Sequence, residues 1–142
     1  MNFEECIRFA NKNPVAWVAT TDGDQPRVRP LQMWFADATG FYFQVWTIKD
    51  IYRELTKNPR VEIGFFDPEK EGGTVLRAAG PVEWVDDPAL KRRSLEDRPF
   101  LVDLGLTPES PELVLFRLAK GEAYTWTQAT NLAPKQKIRF GE

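Results

Sequence analysis

The sequence predicts a mainly β protein, a small antiparallel barrel with short helices packed around it. Three observations carry that prediction. Short runs of β-branched and aromatic residues recur along the chain, bounded by Gly, Pro, Asn and Asp. The connections between the early runs are too short for parallel crossovers. Helical periodicity is confined to short stretches between the runs, giving roughly six or seven strands and three or four helices. The chain has 142 residues and shows no repeat, low-complexity run or linker, so residues 1–142 read as one domain.

The elements follow in order. Phe3, Cys6, Ile7 and Ala10 fall on one helical face, Asn2 and Glu5 form a capping pair, and Pro14 stops the helix. "PVAWVATT" reads as a buried strand closed by Asp22-Gly23. A second strand runs over Arg27–Phe35, and "ADATG" leads to a third, "FYFQVW"; a three-strand meander is the simplest pairing. "TIKDIYRELTKNPR" is helical, with Thr47 as N-cap, Ile48, Ile51, Tyr52 and Leu55 on its apolar face, and Asn58-Pro59 at its end. "VEIGFF" and "TVLRAAGPVEWV" are strands around a "DPEKEGG" turn, the second bent at Gly80-Pro81. Asp87 and Pro88 start another helix. "ELVLFRL" and "EAYTWTQ" read as a hairpin around Lys120-Gly121.

Composition removes several function classes. The chain has no histidine and one cysteine, so a Ser-His-Asp or Cys-His mechanism is excluded, and so is a zinc site of ordinary ligands. The lone Cys6 forbids an internal disulfide and fits a reducing, cytoplasmic setting. The N-terminus lacks the pattern of a signal peptide, and no apolar run reaches membrane-spanning length. A net charge of −2 argues against nucleic acid as a partner. Chemistry must come from a bound cofactor or from Asp, Glu, Lys, Arg and Tyr. Five Trp in this length offer flat surfaces for a planar ligand.

One constellation stands out. Arg27 and Arg29 share a strand face, and Pro30 follows. The helix after the third strand opens with Thr47 and Lys49, where free N–H groups and the dipole favour an anion. If the second and third strands pair, these groups converge on a phosphate monoester. Pro30 cannot donate to a ladder, so Leu31, Gln32 and Met33 expose backbone polar groups to a heterocycle's edge. Trp34, Trp46, Tyr124 and Trp126 are candidate apolar walls. Together these features point to a flat phosphorylated cofactor, with flavin mononucleotide (FMN) as the natural candidate.

The stretches "VAWVATTDGDQPRVRPLQMW", "FYFQVWTIKDIYRELTKNPRVEIGFF" and "LRAAGPVEWVDDPALK" resemble the pyridoxamine 5′-phosphate oxidase-like family of FMN-binding split barrels. The resemblance runs from about Phe3 to Val85 and more weakly beyond. It implies a six-stranded split barrel acting as a homodimer, with two FMN sites at the interface. It places Arg27 or Arg29, Lys49 and Thr47 on the phosphate and Pro30 to Met33 along the ring. Thr74, Val75, Tyr124 and Trp126 of a second subunit would cover that ring. Departures are specific. Val45 stands where many members carry Thr, Gln32 and Ile51 where the oxidases carry Lys, and Asn131 of "NLAP" where they carry Arg. These argue against pyridoxamine phosphate oxidation itself. The nitroimidazole-resistance relatives use a histidine, which this chain lacks.

The expected function is an FMN-dependent oxidoreductase acting on a small molecule, with FAD or the deazaflavin F420 as alternatives to FMN. The rival is a non-catalytic protein that stores or senses flavin, F420 or haem. Donor, acceptor and any catalytic residue are left open.

Overall fold

In the computed structural model, residues 1–142 form ten strands and four helices. The order is α1 (Phe3–Lys12), β1 (Val15–Asp22), β2 (Gln25–Gln32), β3 (Phe35–Asp37), β4 (Gly40–Trp46), α2 (Asp50–Lys57), β5 (Arg60–Asp67), β6 (Thr74–Pro81), β7 (Glu83–Val85), α3 (Pro88–Asp97), α4 (Phe100–Asp103), β8 (Leu113–Leu118), β9 (Gly121–Thr127) and β10 (Ile138–Phe140). One antiparallel sheet has the order β10-β9-β6-β5-β1-β2, and a second has the order β3-β4-β8-β7. Their facing sides and α1 enclose a core that includes Phe41, Phe43, Phe65, Phe116, Ile63 and Leu76. A smaller cluster of Leu95, Leu101, Leu106 and Leu113 packs α3 and α4 onto the second sheet.

Local chemistry explains several boundaries. The α1 capping box of Asn2 and Glu5 is formed in both directions, satisfying two donors that the first turn leaves free. Asp87 accepts from Ala89 N and Leu90 N, with Pro88 in the first turn of α3. Gly40 turns β3 into β4 at φ 133°, and a Cβ there would lie 2.5 Å from the Leu118 carbonyl oxygen. The β6 strand ends at Pro81, and Val82 N still donates to the Pro59 carbonyl at 2.8 Å, one residue further along the β5–β6 register.

The structure corrects four expectations. The first three strands are not a meander, since β2 pairs only with β1 while β4 pairs with β3 and β8. The expected second strand is two, because backbone pairing stops at Gln32 and resumes at Phe35 in the other sheet. β8 and β9 are not a hairpin, since β8 joins β4 and β7 while β9 joins β6 and β10. β1 is buried on one face only, and Trp17 on its other face is 54% exposed. In each case tertiary pairing overrides what short connections suggest.

One buried ion pair fixes β2 against α2. The Glu54 side chain is 2% exposed and accepts from the Thr20 hydroxyl at 2.5 Å and from the Arg29 guanidinium. Arg29 also donates to Thr20 Oγ1 at 2.7 Å. Glu54→Ala would leave the half-buried guanidinium without its carboxylate. It is predicted to destabilise the fold by about 3 kcal/mol, read as a shift of the urea midpoint without a change in slope.

Candidate functional site

β2 is the edge strand of its sheet, and register determines what its open edge offers. Met33 N donates to the Pro14 carbonyl at 2.7 Å, continuing the β1–β2 register. In an antiparallel ladder the inward- and outward-pointing backbone groups alternate residue by residue. Pro26, Val28, Pro30 and Gln32 therefore turn their backbone groups outward. Both prolines sit where an N–H would face the edge, the position a strand tolerates. Pro30 does not break β2, which runs through to Gln32, and of the three residues expected to expose backbone groups Leu31 turns toward β1 and Met33 N is taken by the Pro14 carbonyl. What remains outward is the Pro30 carbonyl followed by the Gln32 N–H, an acceptor next to a donor.

A second open edge faces this region. β3 pairs with β4 only over residues 40–42, so Phe43 to Trp46 have no strand partner on that side. The Arg98 guanidinium ties the two edges together. It donates to Gln44 Oε1 at 2.8 Å, the Gln32 carbonyl at 3.1 Å and the Met33 carbonyl at 2.8 Å. Burial lowers the Arg98 pKa, opposed by the charge of Asp97. The opposite end of the split is held by Arg29 and Glu54.

The α2 start lies directly after β4. Its N-cap is Lys49, with no side-chain cap hydrogen bond, not Thr47 as expected. Ile48 precedes the helix and is 85% exposed, so it leaves the expected apolar face. The first-turn N–H groups thus lack a side-chain partner. Near this end Asp22 binds Arg53 Nη1 at 3.1 Å and Arg27 Nε at 3.4 Å. The Arg53 hydrogen bond, with Arg53 and Arg27 charge, holds the Asp22 carboxyl below its ordinary pKa despite some desolvation. Arg27, Arg29, Lys49 and Arg53 stand against Asp22, Asp50 and Glu54, a modest cationic excess.

The expected site residues separate into groups. Arg27 is exposed and shares Asp22, whereas Arg29 is committed to Glu54 and Thr20. Pro30 and Gln32 are exposed and Leu31 is half-buried. The Met33 side chain is 1% exposed in the core, so only its backbone reaches the split. Trp46 is half-buried and packs on the leucines under α3 and α4. Trp34 is engaged through Asp97 and Arg93. Val75, Tyr124 and Trp126 share the outward face of β6 and β9, with Val75 opposite Trp126, whereas Thr74, opposite Thr127, points to the other face. β6 lies three strand spacings from β2 and β9 four, about 14 and 19 Å, too far to meet the Gln32 edge within one chain. Gln44 and Arg98 were missed by sequence reasoning. Only the partner contacts set them apart from ordinary surface polar residues.

The outward face of the six-stranded sheet carries a run of exposed apolar side chains beside the Glu62–Arg77 ion pair. Register places Trp17 beside Pro30 and Gly64, Val28 beside Ala19, and Phe66 beside Val75 and then Trp126. Val15, Trp17, Val28 and Phe66 are each more than half exposed.

The sequence matches the pyridoxamine 5′-phosphate oxidase family over residues 3–127, and the chain belongs to that family. No functionally curated protein matches it. Among solved structures, a NimC/NimA family protein from Clostridium acetobutylicum superposes with a TM-score of 0.80 at 24% identity, covering 99% of this chain and 95% of that one. A FAD-binding protein from Mesorhizobium loti gives 0.68 at 22% identity, covering 88% and 92%. HutZ, the haem storage protein from Vibrio cholerae, gives 0.67 at 21% identity, covering 89% and 95%. The split-barrel fold is thus shared with these proteins. No helix is long and apolar enough to cross a membrane.

Because the Asp22 carboxyl titrates lower when folded, its contribution to stability is full above the unfolded pKa and is lost as pH falls through the folded one. Asp22→Asn should therefore be less stable than the parent at pH 7. The gap should close at the acid end of a denaturation series run from pH 7 to 2.

Proposed function

We propose that the chain is a homodimeric FMN-binding protein and that the flavin lies along the open edge of β2, with its phosphate toward the start of α2. The carrying observation is the outward Pro30 carbonyl and Gln32 N–H, adjacent along an edge that no strand covers. An acceptor next to a donor matches the alternating polar edge of an isoalloxazine pyrimidine ring. The residues at the other end fit a phosphate. Lys49 and Arg27 supply charge, Thr47 a hydroxyl, and the α2 start N–H groups without a side-chain cap. Arg29 acts on this site indirectly, by positioning β2 against α2 through Glu54.

The second subunit completes the site. The apolar outward sheet face is the dimer surface, since contiguous exposed apolar area of this kind marks an interface. Val75, Tyr124 and Trp126, remote from β2 in one chain, would reach the flavin of the partner chain across that face, with Thr74 contributing at the β6 start through its backbone.

The bound flavin supplies the electron and hydride transfer, and the protein binds, orients and shields it. In this reading no side chain need act as acid or base, which agrees with the absence of histidine, and the chain contributes positioning and exclusion of water. An oxidoreductase acting on a small molecule, with a nicotinamide donor, agrees with this division. Storage or sensing of the cofactor without turnover is the second reading, favoured by structural likeness to a haem storage protein. With no histidine to ligate iron, flavin is the better cargo in that reading too. Reduction of the bound flavin by NADH or NADPH, followed by reoxidation with an added acceptor, separates the two.

Arg27→Ala and Lys49→Ala are each predicted to weaken FMN binding about ten-fold or more while changing riboflavin binding little. Equal losses for both ligands in fluorescence titrations would remove the phosphate assignment. Trp17→Asp places a charge in the apolar face and should yield a monomer by analytical ultracentrifugation, with flavin affinity falling in parallel.

A further inference from the structure

We propose a second small-molecule site, for a planar organic cation, in the cavity beside the free end of β8. The cavity has a volume of about 460 Å³, within the range of small-molecule sites. It uses no residue of β2. Its walls come from α2, β7, the start of α3 and the segment leading into β8.

Two aromatic rings form one side. The Tyr52 and Trp84 centroids lie 5.0 Å apart with their planes inclined at 42°, a wedge rather than a closed stack. Trp84 rests edge-on against Phe116 on its inner side, with centroids 6.1 Å apart, yet remains 39% exposed. β7 ends at Val85, opposite Leu115. β8 therefore extends past its neighbour, and Leu113 and Val114 line the floor.

Charge and donor supply decide which ligand fits. Pro88, Pro108 and Pro111 form much of the remaining wall, and proline has no N–H to offer an anion. The Lys91 ammonium donates to the Ser110 carbonyl, and its charge is offset in number by the Asp87 carboxylate, which caps α3 and takes the Ala89 and Leu90 N–H groups, so Asp86 leaves the lining with a net negative charge. Asp86 is the exposed carboxylate at the rim. An electron-rich wedge of two rings beside a carboxylate attracts a cation. A wall short of donors turns an anion away. The substrate or ligand class is therefore an arylalkyl amine or another flat-bodied amine that is protonated at neutral pH.

The test is isothermal titration of the whole protein with phenethylammonium and, as the uncharged control, 2-phenylethanol. Phenethylammonium should bind about ten-fold more tightly than the alcohol. Asp86→Asn, a surface change, should abolish that preference while leaving riboflavin binding unchanged. Trp84→Leu should weaken phenethylammonium binding about ten-fold. Equal affinity for the two probes, or a preference untouched by Asp86→Asn, would overturn the proposal. So would the absence of any binding to the parent protein. None of these outcomes bears on the flavin site.

Discussion

The buried pair of Glu54 and Arg29 is the constraint on which the site depends. Glu54 leaves the solvent on an amphipathic helix and meets Thr20 and Arg29 together. A buried carboxylate is tolerated only when its oxygens are paired. Here that pairing links α2 to β1 and β2, strands of the other half of the barrel. The same bond that neutralises Glu54 thus sets the distance between the β2 edge and the α2 start. Arg98 performs the matching task at the other end, joining Gln44 of β4 to the end of β2. The split is held open by two arginines rather than closed by a ladder.

Prolines contribute to the same design from the opposite direction. An exposed edge strand is a template for unwanted pairing. Pro26 and Pro30 both fall where an outward N–H would otherwise invite another strand, and so they blunt the β2 edge. What they leave is a short donor–acceptor pattern suited to a small planar partner. Edge protection and ligand recognition are therefore served by the same residues.

Much of this was legible in the sequence, and the gaps have physical reasons. The capping box of α1, the Asp87-Pro88 start of α3 and the shared face of Arg27 and Arg29 rest on local chemistry, and all three are present. The partners of β4 and β8 were misread because sheet pairing depends on contacts distant in sequence, while turns signal only their neighbours. The pairing of Arg29 was not legible because nothing local shows that Glu54, on a helix 25 residues away, faces it. Met33 and Trp46 looked available because burial is a property of the whole fold. Family membership came through because its motifs are local stretches kept in order.

The most direct test of the central claim is the visible absorption spectrum of the purified protein after incubation with FMN and gel filtration. Flavin bands co-eluting with a dimer at about one flavin per chain are the predicted result. A protein that elutes colourless, with FMN recovered entirely in the small-molecule fraction, would contradict it.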